Sequence, residues 1–295
     1  MTLLLTKLGD NKLYFEKMNP VKRSETIRIV SLAPNVTSIL LALGAGRNVV
    51  GVSRWCGDVA DVGRRPEVGD CWKLDVTEVM KLKPTLVIGS VPFAAETVVK
   101  ILAEPVAFLA INPRTLADIE NDIRLLGRLA DRRAAADQLI GRMQGGFDAV
   151  RRCTAASRAT SRPTVYCEAW PNPRISSPPW VEDLVELAGG KIVVPTGQRV
   201  SDEQVAEANP DVIILAWTAT GNRAKPATAL RNPAWKDVAA VKNGRVFVVR
   251  DELLNTPGPP LVRGAQELQK IFGRLAFTSP ATGSNLRKSK SRRDR

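Results

Sequence analysis

The chain has 295 residues, 44% of them hydrophobic, which is enough for two domains that each bury a core. It contains no histidine, so His-ligated metal sites, Ser–His–Asp triads and His acid–base catalysis are excluded together. The 43 basic and 30 acidic residues leave a formal charge of +13, and no apolar run reaches the length of a membrane-spanning helix.

Residues 1–26 are polar and irregular, with Leu3-Leu-Leu5 as their only apolar stretch. That stretch is too short for a signal-peptide core, which leads to the expectation of a cytoplasmic protein. The first α/β lobe is predicted over 27–112. Its strands are Ile27–Leu32, Val49–Val52, Leu86–Gly89 and Val106–Leu109, and its helices are Val36–Leu43, Val76–Leu82 and Ala94–Ala103. Strands alternating with helices predict a mostly parallel sheet. A helical connector follows over 113–152. Thr115 precedes an acid-rich first turn, Leu116, Ile119, Ile123, Leu126 and Leu129 keep helical spacing, and Gly145-Gly146 weakens the span late. Residues 153–163 read as a loop, 163–277 as a second α/β lobe, and 278–295 as a disordered basic tail.

The plan of the first lobe recurs in the second. Ile27-Arg-Ile-Val-Ser-Leu32, a break at Ala33-Pro-Asn35, a helix and Gly44-Ala-Gly46 parallel Thr164-Val-Tyr-Cys-Glu168, a break at Trp170-Pro-Asn-Pro173, a helix over Trp180–Ala188 and Gly189-Gly190. Likewise Glu78-Val-Met-Lys-Leu-Lys-Pro84 runs into a strand as Gln204-Val-Ala-Glu-Ala-Asn-Pro210 does. Two similar lobes predict a ligand cleft between them. Trp55, Trp170 and Trp217 each follow a predicted strand, and Trp72 lies in a loop before a helix. Strand ends are where parallel α/β sheets bind ligands, and indoles there make flat apolar walls. A single tryptophan serves core packing as readily, and that is the reading for Trp180 and Trp235. The glycine pairs read as helix C-caps rather than nucleotide-binding loops. Cys56, Cys71, Cys153 and Cys167 are far apart and form no CxxC, so neither a disulfide framework nor a metal site is expected. No basic motif interleaved with aromatics occurs in the body, so specific nucleic-acid binding is not expected, although the tail could touch an anionic surface.

Arg28-Ile-Val-Ser-Leu-Ala-Pro-Asn-Val-Thr-Ser-Ile-Leu-Leu-Ala-Leu-Gly-Ala-Gly46, with Val49-Val-Gly-Val-Ser53 and Leu82-Lys-Pro-Thr-Leu-Val-Ile88, resembles the cobalamin and iron–siderophore substrate-binding proteins of ABC importers. Glu168-Ala-Trp-Pro-Asn-Pro-Arg-Ile-Ser176, Trp180-Val-Glu-Asp-Leu-Val-Glu-Leu-Ala-Gly-Gly190, Asn209-Pro-Asp-Val-Ile-Ile214 and Pro257-Gly-Pro259 are similar to the cobalamin-binding subset. The resemblance covers about residues 27–275. It implies two α/β lobes joined by one long rigid helix, a cleft with small hinge motion, and a non-catalytic monomer whose ligand is cobalamin or another metal chelate such as a siderophore or haem, with no covalent cofactor. Carried over by position, the ligand-binding candidates are Pro34, Asn35, Trp55, Trp72, Phe93, Trp170, Trp217 and Pro257. Asn35 reads first as the cap of the helix beginning at Val36 and second as a hydrogen-bonding partner for a ligand amide.

The resemblance also implies a permease partner, docked through one acidic residue on each lobe. Thr77 stands at the first position with Glu78 adjacent, and Asn255 at the second with Asp251 and Glu252 nearby. Relatives carry an export signal that is not visible here; a periplasmic or membrane-associated place like theirs is the alternative to a cytoplasmic one. A cytoplasmic corrinoid or metal-chelate carrier or sensor is therefore one alternative. Another is an enzyme on the same scaffold, built on groups such as Glu168, Asp58 and Arg174.

Overall fold

A computed structural model describes residues 26–70, 72–156, 162–221 and 223–276. The predicted basic tail, nearly all of the amino-terminal extension and Cys71 lie outside the described residues. Nine strands and eleven α-helices follow in chain order among the described residues. The first lobe contains β1 (Ile29–Ser31), α1 (Pro34–Ala42), β2 (Val49–Val52), α2 (Val76–Lys81), β3 (Leu86–Ser90), α3 (Ala95–Leu102) and β4 (Ala107–Ile111). Then come α4 (Leu116–Leu129) and α5 (Arg133–Ala156). The second lobe contains β5 (Thr164–Pro171), β6 (Arg174–Ser176), α6 (Val181–Leu187), β7 (Lys191–Ile192), α7 (Asp202–Ala208), β8 (Val212–Leu215), α8 (Pro226–Leu230), α9 (Ala239–Lys242), β9 (Val246–Val248), α10 (Glu252–Asn255) and α11 (Leu261–Ala276).

The repeat in the sequence is a repeat in topology. The first sheet runs β2-β1-β3-β4, all parallel. In the second, β5 pairs in parallel with β7 on one side and with β8 on the other, and β8 continues to β9. Thus β1, β2, β3 and β4 correspond to β5, β7, β8 and β9. The departure is β6, which pairs antiparallel with the far end of β5. The predicted break at Trp170–Pro173 is therefore a hairpin: β5 runs on to Pro171 and turns back into β6.

The connector is two helices rather than one continuous span. The chain reverses at Ala130–Arg132, where Asp131 takes a left-handed φ of 53°, a conformation that Asp tolerates better than most residues. A Cβ on Gly127 would lie 2.6 Å from Ala136 Cβ, so a glycine is what lets α4 and α5 approach at this turn. The first turn of α4 forms a capping box between Thr115 and Asp118. The bridging helix is α5, which packs on α4, α6 and α11 and spans about 36 Å at 1.5 Å per residue. Gly146 does not weaken it locally as the sequence suggested; it is the point where α11 crosses, since any Cβ there would collide with Val262.

Packing joins the lobes. One apolar cluster includes Val36, Ile39 and Leu40 of α1, Leu126 of α4, Leu139, Met143 and Phe147 of α5, Leu184 of α6, and Leu261 and Leu268 of α11. Each such side chain contributes roughly 1.5–3 kcal/mol when fully buried. A smaller cluster covers the other face of each sheet, around Val87 and Ile101 in one lobe and Ile213 and Trp235 in the other. Polar contacts cross the seam too: Leu116 N, at the start of α4, donates to Asp183 Oδ2 of α6 at 2.9 Å.

Candidate functional site

A cavity of about 760 Å³ opens between the lobes. Its first wall comes from Leu32 to Asn35 at the junction of β1 and α1, from Trp55 and Gly57–Val59 after β2, from Asp70 and Trp72, and from Ser90–Pro92 after β3. The second wall comes from Pro178 and Trp180, from Thr218–Gly221 after β8, and from Arg250–Glu252 and Asn255–Pro257 after β9. Most of these segments leave the carboxyl ends of parallel strands, where such sheets place their ligands.

The tryptophan wall of the first lobe is held by a residue the sequence reading passed over. Asp70 is buried, and its Oδ2 accepts from Trp55 Nε1 at 3.1 Å and pairs with Arg54 at 2.7 Å. Its Oδ1 accepts from the backbone N–H groups of Trp72 and Lys73, both at 2.9 Å. Burial alone would raise this carboxyl, but the donors of Lys73, Trp72 and Trp55 and the Arg54 charge outweigh it and hold Asp70 below the ordinary Asp value. The Arg54 guanidinium also lies 4.6 Å from the centroid of the Trp55 ring. One carboxylate thereby fixes both the Trp55 indole and the loop that presents Trp72, which is 62% exposed. The sequence signal was the acid two residues before Trp72.

Pro34, Asn35, Trp55, Trp72 and Pro257 are brought together around the cavity; Phe93, Trp170 and Trp217 are not. Phe93 turns away to meet Phe108 edge-on, with ring centroids 5.8 Å apart. Trp170 lies on the β5–β6 hairpin and donates to Asn172 O. Trp217 donates its indole N–H to Glu168 Oε1 at 2.9 Å and packs on the outer cluster of its lobe. Trp180, expected in the core, is both buried there and part of the cavity wall, its Nε1 donating to Leu254 O at 2.8 Å.

The charged groups of the second wall are committed to neighbours within it. Asp251 accepts from the N–H groups of Ala219 and Gly221, which shapes the loop after β8. Burial outweighs these bonds and raises its carboxyl above the ordinary value. Arg250 pairs with Glu252, and Arg223 donates to Ala219 O and Thr220 O.

Of the groups that an enzyme would have used, only Asp58 lines the cavity. Glu168 is buried elsewhere, accepting from Tyr166, Arg174 and Trp217, and Arg174 also pairs with Asp202 and stacks on Trp235 at 4.3 Å. Among the described residues no three His, Cys, Asp or Glu side chains converge as a metal-binding group. Two corrections concern polar positions. Asn35 is not a helix cap: α1 begins at Pro34, its N-cap is Ala33, and the Asn35 side chain makes no capping bond. Asn255, read as standing at the second docking position, lines the cavity and donates to Ala216 O at 2.6 Å.

Two parallel α/β lobes with an aromatic cavity between their strand ends, tied by a helix that spans both, define a two-lobe binding protein. Residues 29–253 match the periplasmic binding protein family, and the chain belongs to it. It is 27% identical to an uncharacterized ABC transporter substrate-binding lipoprotein, YvrC, of Bacillus subtilis, over 83% of this chain and 80% of that protein. It is 25% identical to a vitamin B12-binding protein of Pectobacterium carotovorum, over 87% and 91% of the two chains. Among solved structures, the periplasmic heme-binding protein RhuT of Roseiflexus superposes with a TM-score of 0.72 at 25% identity, over 85% of this chain and all of that one. The vitamin B12-binding protein BtuF of Vibrio cholerae gives 0.68 at 21% identity, over 85% and 98%. The expectation of a cytoplasmic protein, drawn from the amino terminus, has no support among these relatives, three of which are named as periplasmic or as a lipoprotein.

Proposed function

We propose that the chain is a non-catalytic receptor for a flat metal-chelating macrocycle of the cobalamin type, bound as a monomer between the lobes and delivered outside the cytoplasmic membrane to an ABC importer. The observation that carries this reading is the cavity itself, whose walls present the indoles of Trp55, Trp72 and Trp180 from both lobes. Its volume falls in the range of about 300–1,000 Å³ usual for small-molecule sites. The metal in such a ligand is cargo and arrives with its own ligands. Relatives named for vitamin B12 favour a corrin; neighbours titled for heme make haem the second reading.

Docking on a permease is assigned to α2 and α7. These helices occupy corresponding places in the two lobes, each leading into the strand beside the central one. Aligning Pro84 with Pro210 sets Thr77 opposite Glu203. Glu203 is exposed in the first turn of α7 and is the acid assigned to docking in place of Asn255; on α2 the acid is the adjacent, exposed Glu78.

The test of the ligand assignment is intrinsic tryptophan fluorescence, titrated with cyanocobalamin and separately with hemin, with inner-filter controls. Saturable quenching at one ligand per chain by cyanocobalamin is expected. Trp72→Ala should weaken it about tenfold, the order of a lost aromatic contact with its buried area. Saturation by hemin alone would replace the corrin with haem, and saturation by neither would remove the reading.

A further inference from the structure

A second cavity, of about 550 Å³, adjoins the first. Asp58, Val59, Arg250 and Glu252 line both, so these four residues, two from each lobe, mark the junction of the two spaces. Beyond the junction the walls come from the far half of α1, from α10 and from the first turn of α11. Leu41, Leu253, Pro259 and Pro260 supply the apolar part of that surface. The charges differ in what they are free to do. Arg250 and Glu252 are paired with each other at the junction. Asp58 and Arg263 are exposed, and among the described residues neither side chain has a hydrogen bond or an ion pair. Asp58 lines both cavities and Arg263 only the second. A group that passes from the first cavity into the second therefore meets a carboxylate at the junction and a guanidinium beyond it.

We propose that the second cavity receives a long pendant arm of the ligand, with an anionic phosphodiester on Arg263, while the macrocycle stays in the first. This rests on the receptor function proposed above and deepens it, because it specifies a ring that carries a nucleotide-type arm and not a bare ring. A guanidinium offers several N–H donors in a planar fork and pairs well with phosphate oxygens. Asp58 only accepts, which suits an amide N–H or a hydroxyl on the stem of the arm. An anion close to the ring would instead lie near Asp58 and the already paired Glu252, where no free cation meets it. Haem carries its carboxylates on short arms, so it gains nothing from Arg263. The second cavity thus favours a corrinoid with its nucleotide arm over haem and over an arm-less corrinoid.

Isothermal titration calorimetry of the full chain tests this with cyanocobalamin and with dicyanocobinamide, which has the same ring but lacks the phosphate and the nucleotide. The readout is the ratio of the two affinities. The wild-type protein should bind cyanocobalamin about tenfold more tightly than dicyanocobinamide, the effect of one hydrogen bond to a charged group. Arg263→Ala should weaken cyanocobalamin about tenfold and leave dicyanocobinamide within about twofold, which removes the preference. Arg263→Gln, which keeps most of the side chain's length, should do the same. Both variants should melt like the wild type, since the side chain has no partner in the fold. Added salt should shrink the wild-type preference and leave the variants unmoved. If the wild type binds dicyanocobinamide as tightly as cyanocobalamin or more so, or if the Arg263 variants change both affinities alike or neither, the second cavity does not take the arm, and the proposal falls while the receptor function stands. If the wild type binds neither corrinoid, the function falls and takes this proposal with it.

Discussion

Asp70 and Glu168 show how a single carboxylate decides which aromatic residues reach a cavity. Asp70 draws the Trp55 indole and the Trp72 backbone to the wall. Glu168, almost fully buried, needs donors around it, and the Trp217 indole is one of them, which removes Trp217 from the cleft. A third acid, Asp122 on α4, is left without a partner on Oδ2. Burial, with repulsion from Asp118, pushes its pKa up to about 6. A carboxyl whose folded pKa lies above its unfolded one supports the fold only at low pH and costs stability once pH rises through the folded value. Asp122→Asn should therefore gain on the order of 1 kcal/mol at about pH 8, after allowance for the screening a half-exposed group enjoys. The gain should vanish below about pH 3, where the acid is protonated in both states. Urea denaturation at the two pH values measures it, and an equal effect at both would contradict the assignment.

At the scale of elements, apolar strands bounded by Gly and Pro were legible because parallel strands carry near-continuous hydrophobic runs. The recurrence of Glu78–Pro84 in Gln204–Pro210 located α2 and α7 in equivalent places. The reversal between α4 and α5 was not legible, since the turn uses neither Gly nor Pro but an Asp with positive φ. The β5–β6 hairpin was hidden for a related reason: Pro171 and Pro173 look like a strand's end, yet Pro171 is the last residue of β5 and Pro173 lies in the turn before β6. Matching the chain near residue 255 points to Asn255, which lines the cavity, whereas following the repeat points to Glu203. Reversing charge at both Glu78 and Glu203 to Lys should leave ligand affinity within about twofold and cut permease-dependent uptake at least about tenfold, because facing like charges oppose docking. Uptake by vesicles holding the cognate permease measures this, and undiminished uptake would exclude α2 and α7 from the interface.

For the molecule as a whole, one apolar core runs from α1 through α5 to α11, and Gly258 after β9 sits against Ile39 of the other lobe at 3.3 Å for a built Cβ. Separating the lobes would expose that core, which opposes a wide hinge opening. The two-lobe plan was readable from the repeat alone, and five of the eight candidates carried over from the resemblance line the cavity. The rest of the site depended on where Asp70, Asn255 and Trp180 found hydrogen-bond partners, which spacing in a sequence does not encode. Hydrogen–deuterium exchange with and without cyanocobalamin tests the central claim most directly. The account predicts slower exchange in 32–35, 55–59, 70–72, 218–221 and 250–257, on both lobes at once, with the outer faces unchanged. Protection elsewhere, or on one lobe alone, would contradict a ligand held between the lobes.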